Sequence, residues 1–216
     1  MNSNKKEYMT LDEWEAKMKA EGKWDDFSAK QAKRDAEFEV KAARLLQEQE
    51  PILADLQRAG CPVTSIWDLV NSSDSDPKTI SVLLEHLVLP YSDRTREGLA
   101  RALAVPEPEV RAAWTLLVNE YCRAPMGKGI KFPGDTEEFR LGFKEGLACT
   151  LSAIVTDETM PDYIELLRDK SHGEYRVLLL TALRKSKNPL AKQAIEELAN
   201  DPDLEKEIAS WRRKKK

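Results

Sequence analysis

The strongest constraint on the fold is a repeat inside the chain. Residues 96–103 read Arg-Glu-Gly-Leu-Ala-Arg-Ala-Leu, and residues 144–151 read Lys-Glu-Gly-Leu-Ala-Cys-Thr-Leu. Five of the eight positions are identical and the first keeps its charge. A third copy at residues 176–183, Arg-Val-Leu-Leu-Leu-Thr-Ala-Leu, keeps the cation and both outer leucines. Leu87 stands nine residues before Arg96, and Leu167 nine before Arg176. Units that recur every few tens of residues cannot each bury an apolar face alone, so they must stack on one another.

The segments between copies read as helix. Prolines fall mostly 10 to 20 residues apart, and apolar residues recur at three and four: Ile80, Leu83, Leu84, Leu87; Val110, Trp114, Leu117, Tyr121; Phe139, Phe143, Leu147. No segment keeps a period of two, so no sheet is expected. The copies lie 48 and 32 residues apart, and a Gly/Pro-rich insertion at residues 125–135 accounts for the longer interval. A fourth pair is expected over residues 190–199 and 204–211. Gly98 and Gly146 occupy equivalent positions inside helices, where glycine costs about 1 kcal/mol against alanine; close approach of a neighbouring helix explains them. Gly142 is read the same way.

With its cation-then-leucine second helices and prolines opening first helices (Pro77, Pro189), the chain resembles the HEAT-repeat family over residues 62–211. The family's turn aspartate has a counterpart in Asp93 but none before Lys144 or Arg176, and the insertion departs from the pattern. The resemblance implies an all-α, right-handed α-solenoid of about four antiparallel helix pairs, whose concave second-helix face binds another protein. Arg94, Glu97, Arg101, Arg140, Lys144, Glu145, Arg176 and Arg184 are the candidate partner-binding residues. The repeated cations Arg96, Lys144 and Arg176 have two readings, an internal ladder between repeats or a ridge of charge open to a partner.

Residues 1–60 read as a helical arm. Thr10 with Glu13 forms a capping box opening a helix at Leu11, Gly22 ends it, and Ser28 with Gln31 marks the start of a longer one. Pro51 is either a kink or the first turn of a further helix. The arm could pair with a second copy, but Phe38, Leu45 and Leu46 are too few for a heptad seam.

The net charge of −4 conceals a division. The last five residues, Arg212 to Lys216, are all cationic, so residues 1–211 carry −9. An acidic body argues against nucleic acid unless its charges are segregated, and it suits steering toward a cationic partner such as a toxin. An adaptor or toxin-immunity role follows from that pairing of size and charge. The polar start of the chain lacks a signal sequence and no apolar run spans a bilayer, so no membrane contact and a cytoplasmic address are expected. Three cysteines at wide spacing fit reduced thiols.

Chemistry has little support. His86, His172 and the cysteines Cys61, Cys122 and Cys149 give no metal-ligand spacing and no nucleophile beside a base, so no catalytic residue, cofactor or metal is expected. Gly127 and Gly129 flank Lys128 in a loop without the strand or Gly-Lys-Ser/Thr of a P-loop. Among HEAT-like enzymes, bilin lyases and DNA glycosylases of alkylated bases are the precedents, and a glycosylase is the alternative function. It needs a basic groove with exposed aromatics, whereas Trp67 and Trp114 fall on apolar faces expected to pack in the core.

Overall fold

The computed structural model describes residues 9–70 and 76–213, and its architecture is all-α. The polar N-terminal octet lies outside the described residues. So does the expected basic tail, save for the backbone of residues 212 and 213. The chain divides into two compact units, Met1–Ala43 and Arg44–Lys216. Residues 44–60, read above as part of the arm, thus belong to the second unit.

In the first unit, helix α1 (Leu11–Ala20) starts on the expected capping box: Thr10 N donates to Glu13 Oε2 at 2.8 Å and Glu13 N donates to Thr10 Oγ1 at 3.3 Å. Helix α2 (Trp24–Arg58) opens four residues before the expected start. Asp25 and Asp26 complement the helix dipole there, and Trp24 and Phe27 pack with Trp14 in an aromatic trio; Phe27 meets Trp14 edge-on at 5.0 Å.

Pro51 lies inside α2, so it does not open a separate second helix. A proline there forfeits a hydrogen bond. Burial of Ile52 and Leu56, one turn apart, offsets the loss, and Gln49 beside them accepts from Ile66 N and Ser65 Oγ. Gly60, at φ +94°, lets the chain turn away after α2.

The rest of the second unit alternates short helices: α3 (Pro77–Leu87), α4 (Asp93–Ala102), α5 (Pro108–Ala112), α6 (Trp114–Arg123), α7 (Phe143–Ile154), α8 (Met160–Arg168), α9 (Arg176–Lys185), α10 (Pro189–Glu197) and α11 (Glu205–Arg213). Asp76 and Asn188 cap α3 and α10, each followed by a proline whose missing N–H would have no partner in a first turn. The three repeat copies are α4, α7 and α9, and they pack in chain order, α4 on α7 and α7 on α9. α3, α6 and α8 pack against α4, α7 and α9 respectively, and α10 against both α8 and α9. The repeated leucines Leu99, Leu103, Leu147, Leu151, Leu179 and Leu183 are all buried in one core.

Two features depart from expectation. The insertion carries a small antiparallel ladder, β1 (Lys128–Gly129) against β2 (Phe139–Arg140), where no strand was anticipated. Phe139 consequently sits in a strand, not in the helical face of α7. Gly142 is the N-cap of α7, not an interior residue, and its reason is steric: a Cβ there would overlap the Glu97 carboxylate. Gly98 and Gly146 do mark close approaches. A Cβ on Gly146 would stand 3.0 Å from both Ala100 Cβ and Glu97 O across the α4–α7 contact, and one on Gly98 would stand 2.6 Å from Ile66 Cδ1.

Candidate functional site

The repeated cations have a shared duty. Arg96 Nε donates to Leu87 O at 3.3 Å, Lys144 Nζ to Tyr121 O at 2.8 Å, and Arg176 Nη1 to Leu167 O at 3.0 Å. Each cation at the start of a second helix therefore ties down a carbonyl at or near the C-terminal end of the helix before it, where carbonyls lack helical partners and the dipole favours positive charge. Two reach onward as well: Arg96 to Glu120 at 2.6 Å, and Arg176 to Asp201 and Asp203.

Lys144 and Arg176, proposed from sequence as partner-binding residues, are buried at 1% and 0% exposure and spent on these bonds. The geometry satisfies the internal reading in part: the shared bond runs within each helix pair, and only Arg96, through Glu120, and Arg176, through Asp201 and Asp203, reach on to the next pair. Burial lowers the Lys144 ammonium below its ordinary range. For Arg176, burial works against the charge, but the hydrogen bonds it donates to Asp201 and Asp203 outweigh it and raise the guanidinium.

The other candidates, Arg184 excepted, form one connected network. Glu97 on α4 is buried, yet three cations converge on it: Arg94 Nη1 at 3.0 Å, Arg101 Nε at 3.0 Å and Lys131 Nζ at 3.4 Å. Burial alone would raise its carboxyl; Lys131, Arg101 and Arg94 together hold it below the usual range. Arg101 approaches Glu145 on α7 at 3.9 Å, Glu145 accepts from Arg140 on β2 at 2.9 Å, and Arg140 reaches Glu174 at 2.8 Å. The structure thus joins Arg94, Glu97, Arg101, Arg140 and Glu145, and leaves Arg184 apart, its guanidinium 5.4 Å over the Trp211 ring.

Several restraints fix this network in place. The Arg94 guanidinium stands over the Trp67 ring at 3.6 Å, and its backbone N–H donates to Lys131 O. Lys131 Nζ also donates to Arg140 O at 3.2 Å. Asp93 accepts from Gly142 N at 2.7 Å and Phe143 N at 3.0 Å, capping α7 from α4; burial raises its carboxyl despite these bonds. From α2, Glu48 accepts from Ser92 N and Oγ and from Thr95 Oγ1, bracing the start of α4. Sequence reasoning missed Lys131, because nothing local shows that the insertion folds back over α4.

Beside the network a cleft of about 260 Å³ is lined by Arg140, Glu145, Glu174, Tyr175, Val177 and Leu178. Charged groups rim it and Val177 and Leu178 supply apolar lining. Cys149 sits next to Arg101, but burial raises its thiol away from the thiolate a nucleophile needs. His86 is held between Asp55 at 2.9 Å and Tyr91 at 2.8 Å, and His172 packs edge-on against Tyr121; burial lowers the imidazole of each. Trp114 is buried against Tyr163, and Trp67 is half-buried beneath Arg94. Among the described residues no cluster of three or more His, Cys, Asp or Glu could hold a metal ion, and no helix is long and apolar enough to cross a membrane.

Compared with known family models, curated proteins and solved structures, the chain matches none.

Proposed function

We propose that residues 62–211 form a HEAT-like, right-handed α-solenoid of about four helix pairs, and that the chain is a binding module for another protein, adaptor-like or immunity-like, with no chemistry of its own. The repeat reading draws support from the chain-order packing of α4, α7 and α9 and from the shared carbonyl tie of Arg96, Lys144 and Arg176. The binding reading rests on one observation: the side of α7 and α9 that reaches solvent presents an apolar cleft rimmed by the exposed Arg140–Glu174 pair. An apolar centre inside a mixed-charge rim is the composition of a protein interface, and phosphate backbones would be repelled by Glu145 and Glu174.

The test is co-purification of tagged full-length chain from its native host, comparing wild type with Arg140→Glu on the rim and Arg168→Glu on α8. A partner retained by wild type and Arg168→Glu but lost from Arg140→Glu is the expected result. Recovery of wild type alone at low salt would sink the proposal. Salt-sensitive binding of labelled duplex DNA in 50 mM salt would turn it toward the glycosylase alternative.

A further inference from the structure

The short 3-10 turn Lys170–Tyr175 joins α8 to α9 and carries His172 into the interior, where 4% of it is exposed. Packing holds the imidazole there, since its Nε2 has no hydrogen-bond partner. The nearest carboxylate oxygen, Asp169 Oδ2, stands 3.6 Å away, beyond hydrogen-bond reach. Buried polar atoms without partners are rare in native proteins, and each one calls for a physical reason.

The groups around the ring come from four helices. Lys144 of α7 and Arg176 of α9 are cations, Tyr121 of α6 offers an uncharged ring at 4.8 Å, and Asp169 closes α8. Asp201 and Asp203 are spent on Arg176, while Lys170 and Glu174 of the same turn are exposed. Burial first, and then the Lys144 ammonium, keeps the imidazole neutral; Asp169, itself half-exposed and bonded to Ser171 N, offsets them only in part. A proton on Nε2 would be buried with nothing to receive its N–H. Outside, the same N–H finds water and Asp169 Oδ2.

The backbone beside the ring has room to turn. Gly173 follows at once, at φ +54° and ψ −140°, a break within the 3-10 turn, and nothing stands within 4 Å of the place a Cβ would take. Two residues further on, Tyr175 lines the cleft with Val177 and Leu178, and its hydroxyl accepts from Gly127 N of the insertion at 2.9 Å. A ring leaving at position 172 therefore pulls on the cleft wall and on the insertion together.

We propose that His172 is a proton-operated latch on the cleft: neutral, it lies inside and keeps Tyr175 in the cleft wall; protonated, it swings about Gly173 toward Asp169 and solvent and disassembles that wall. The latch rests on the protein-binding reading of the cleft and adds its regulation, a hold on the partner that weakens as pH falls. A group kept neutral inside and free to take a proton outside favours the open form at low pH. With an ordinary value of about 6.5 for the released imidazole, the open turn gains about tenfold in population between pH 7.5 and 5.5. His86 is tied at both ring nitrogens, to Tyr91 and Asp55, and has no comparable freedom.

The experiment is amide hydrogen exchange on the full chain at pH 7.5 and 5.5, corrected for the intrinsic pH dependence of exchange. Amides of residues 172–180 should be less protected than those of Leu147 to Leu151 on α7, because they open without global unfolding, and should lose about a further tenfold at the lower pH. His172→Gln should hold the segment's protection equal at the two pH values. Tyr121→Phe, which removes only an unpartnered hydroxyl and keeps the ring, should respond as wild type does. A segment as protected as α7 at both pH values, a loss confined to residues 172–174, or an equal loss in His172→Gln would overturn the latch. If His172→Gln failed to fold, the comparison of the segment with α7 in wild type and Tyr121→Phe would still decide. A host partner should be retained several-fold less by wild type at pH 5.5 than at 7.5, and equally at both by His172→Gln; retention indifferent to pH beside an opening turn would also overturn it. A host partner missing altogether would remove the binding module, while exchange still decided whether the turn opens.

Discussion

The Arg176 guanidinium and the Asp201 carboxylate meet in the interior through two parallel hydrogen bonds of 2.9 and 3.0 Å, linking α9 to the turn before α11. Hydrogen bonds from Arg176 hold the Asp201 carboxyl below its ordinary range despite burial. Removing one member of such a pair strands the other and typically costs 3–5 kcal/mol. Arg176→Met should therefore lower the urea midpoint by an amount corresponding to about 3 kcal/mol or more. Asp203→Asn, at the exposed end of the same cluster, should cost about 1 kcal/mol or less.

Gly142 and Glu97 are coupled by shape. The glycine's backbone lies at φ −116°, where any residue fits, so an effect of Gly142→Ala must come from its new Cβ meeting the Glu97 carboxylate. Denaturation should give a loss of about 1–3 kcal/mol. In a Glu97→Ala background the same change should be close to neutral, and a double-mutant cycle with no coupling would reject the account.

Gly98 and Gly146 are equivalent in sequence but not in surroundings. Ala at 98 would stand 2.6 Å from Cδ1 and 2.9 Å from Cγ1 of the buried Ile66 and 3.1 Å from Trp67 Cε2, so packed side chains would have to move. Ala at 146 meets Glu97 O, a backbone atom of α4, which cannot shift without moving the helix. Both changes gain about 1 kcal/mol of helix propensity. The overlap outweighs that gain, so both Gly98→Ala and Gly146→Ala should unfold at a lower temperature than wild type, and a variant as stable as wild type would show that its neighbours give way without cost.

Both histidines of the chain are buried with lowered imidazoles. Burial is the main cause for each, and at His172 Lys144 adds repulsion. A group whose cation is disfavoured in the fold binds its proton more readily when unfolded. Stability is then full above the unfolded histidine value of about 6.5 and falls as pH drops below it. Unfolding temperature should decline between pH 7.5 and 5.5, before the carboxylates titrate, and His172→Gln should flatten part of that slope. A wild-type profile already flat in this window would contradict the assignment.

What could be read in advance follows from how far apart the interacting residues lie. The nine-residue step from Leu87 to Arg96 and from Leu167 to Arg176 is written in the sequence, and it is the step from a helix's last turn to the cation that binds its carbonyl. The capping box at Thr10 is equally local. By contrast, Lys144 finds Tyr121 O across 23 residues of irregular chain, and Lys131 finds Glu97 through a fold-back of the insertion. Those partnerships depend on the path of a loop whose residues carry no periodicity. Lys144 and Arg176 looked like binding residues because charge in a sequence does not declare whether it is buried.

The tie between Lys144 and Tyr121 also explains why the segment between α6 and α7 can be so long. Lys144 is the clamp that returns the chain to register, and it sits after the excursion, on the helix itself. The excursion is itself fastened to the helices, by Lys131 Nζ at 3.4 Å from Glu97 and by Gly127 N donating to Tyr175 Oη at 2.9 Å. Residues 125–140 are thus a folded appendix pinned to the helices at Gly127, Lys131 and Gly134, and a change at any of those points is also a change to the helices it is pinned to.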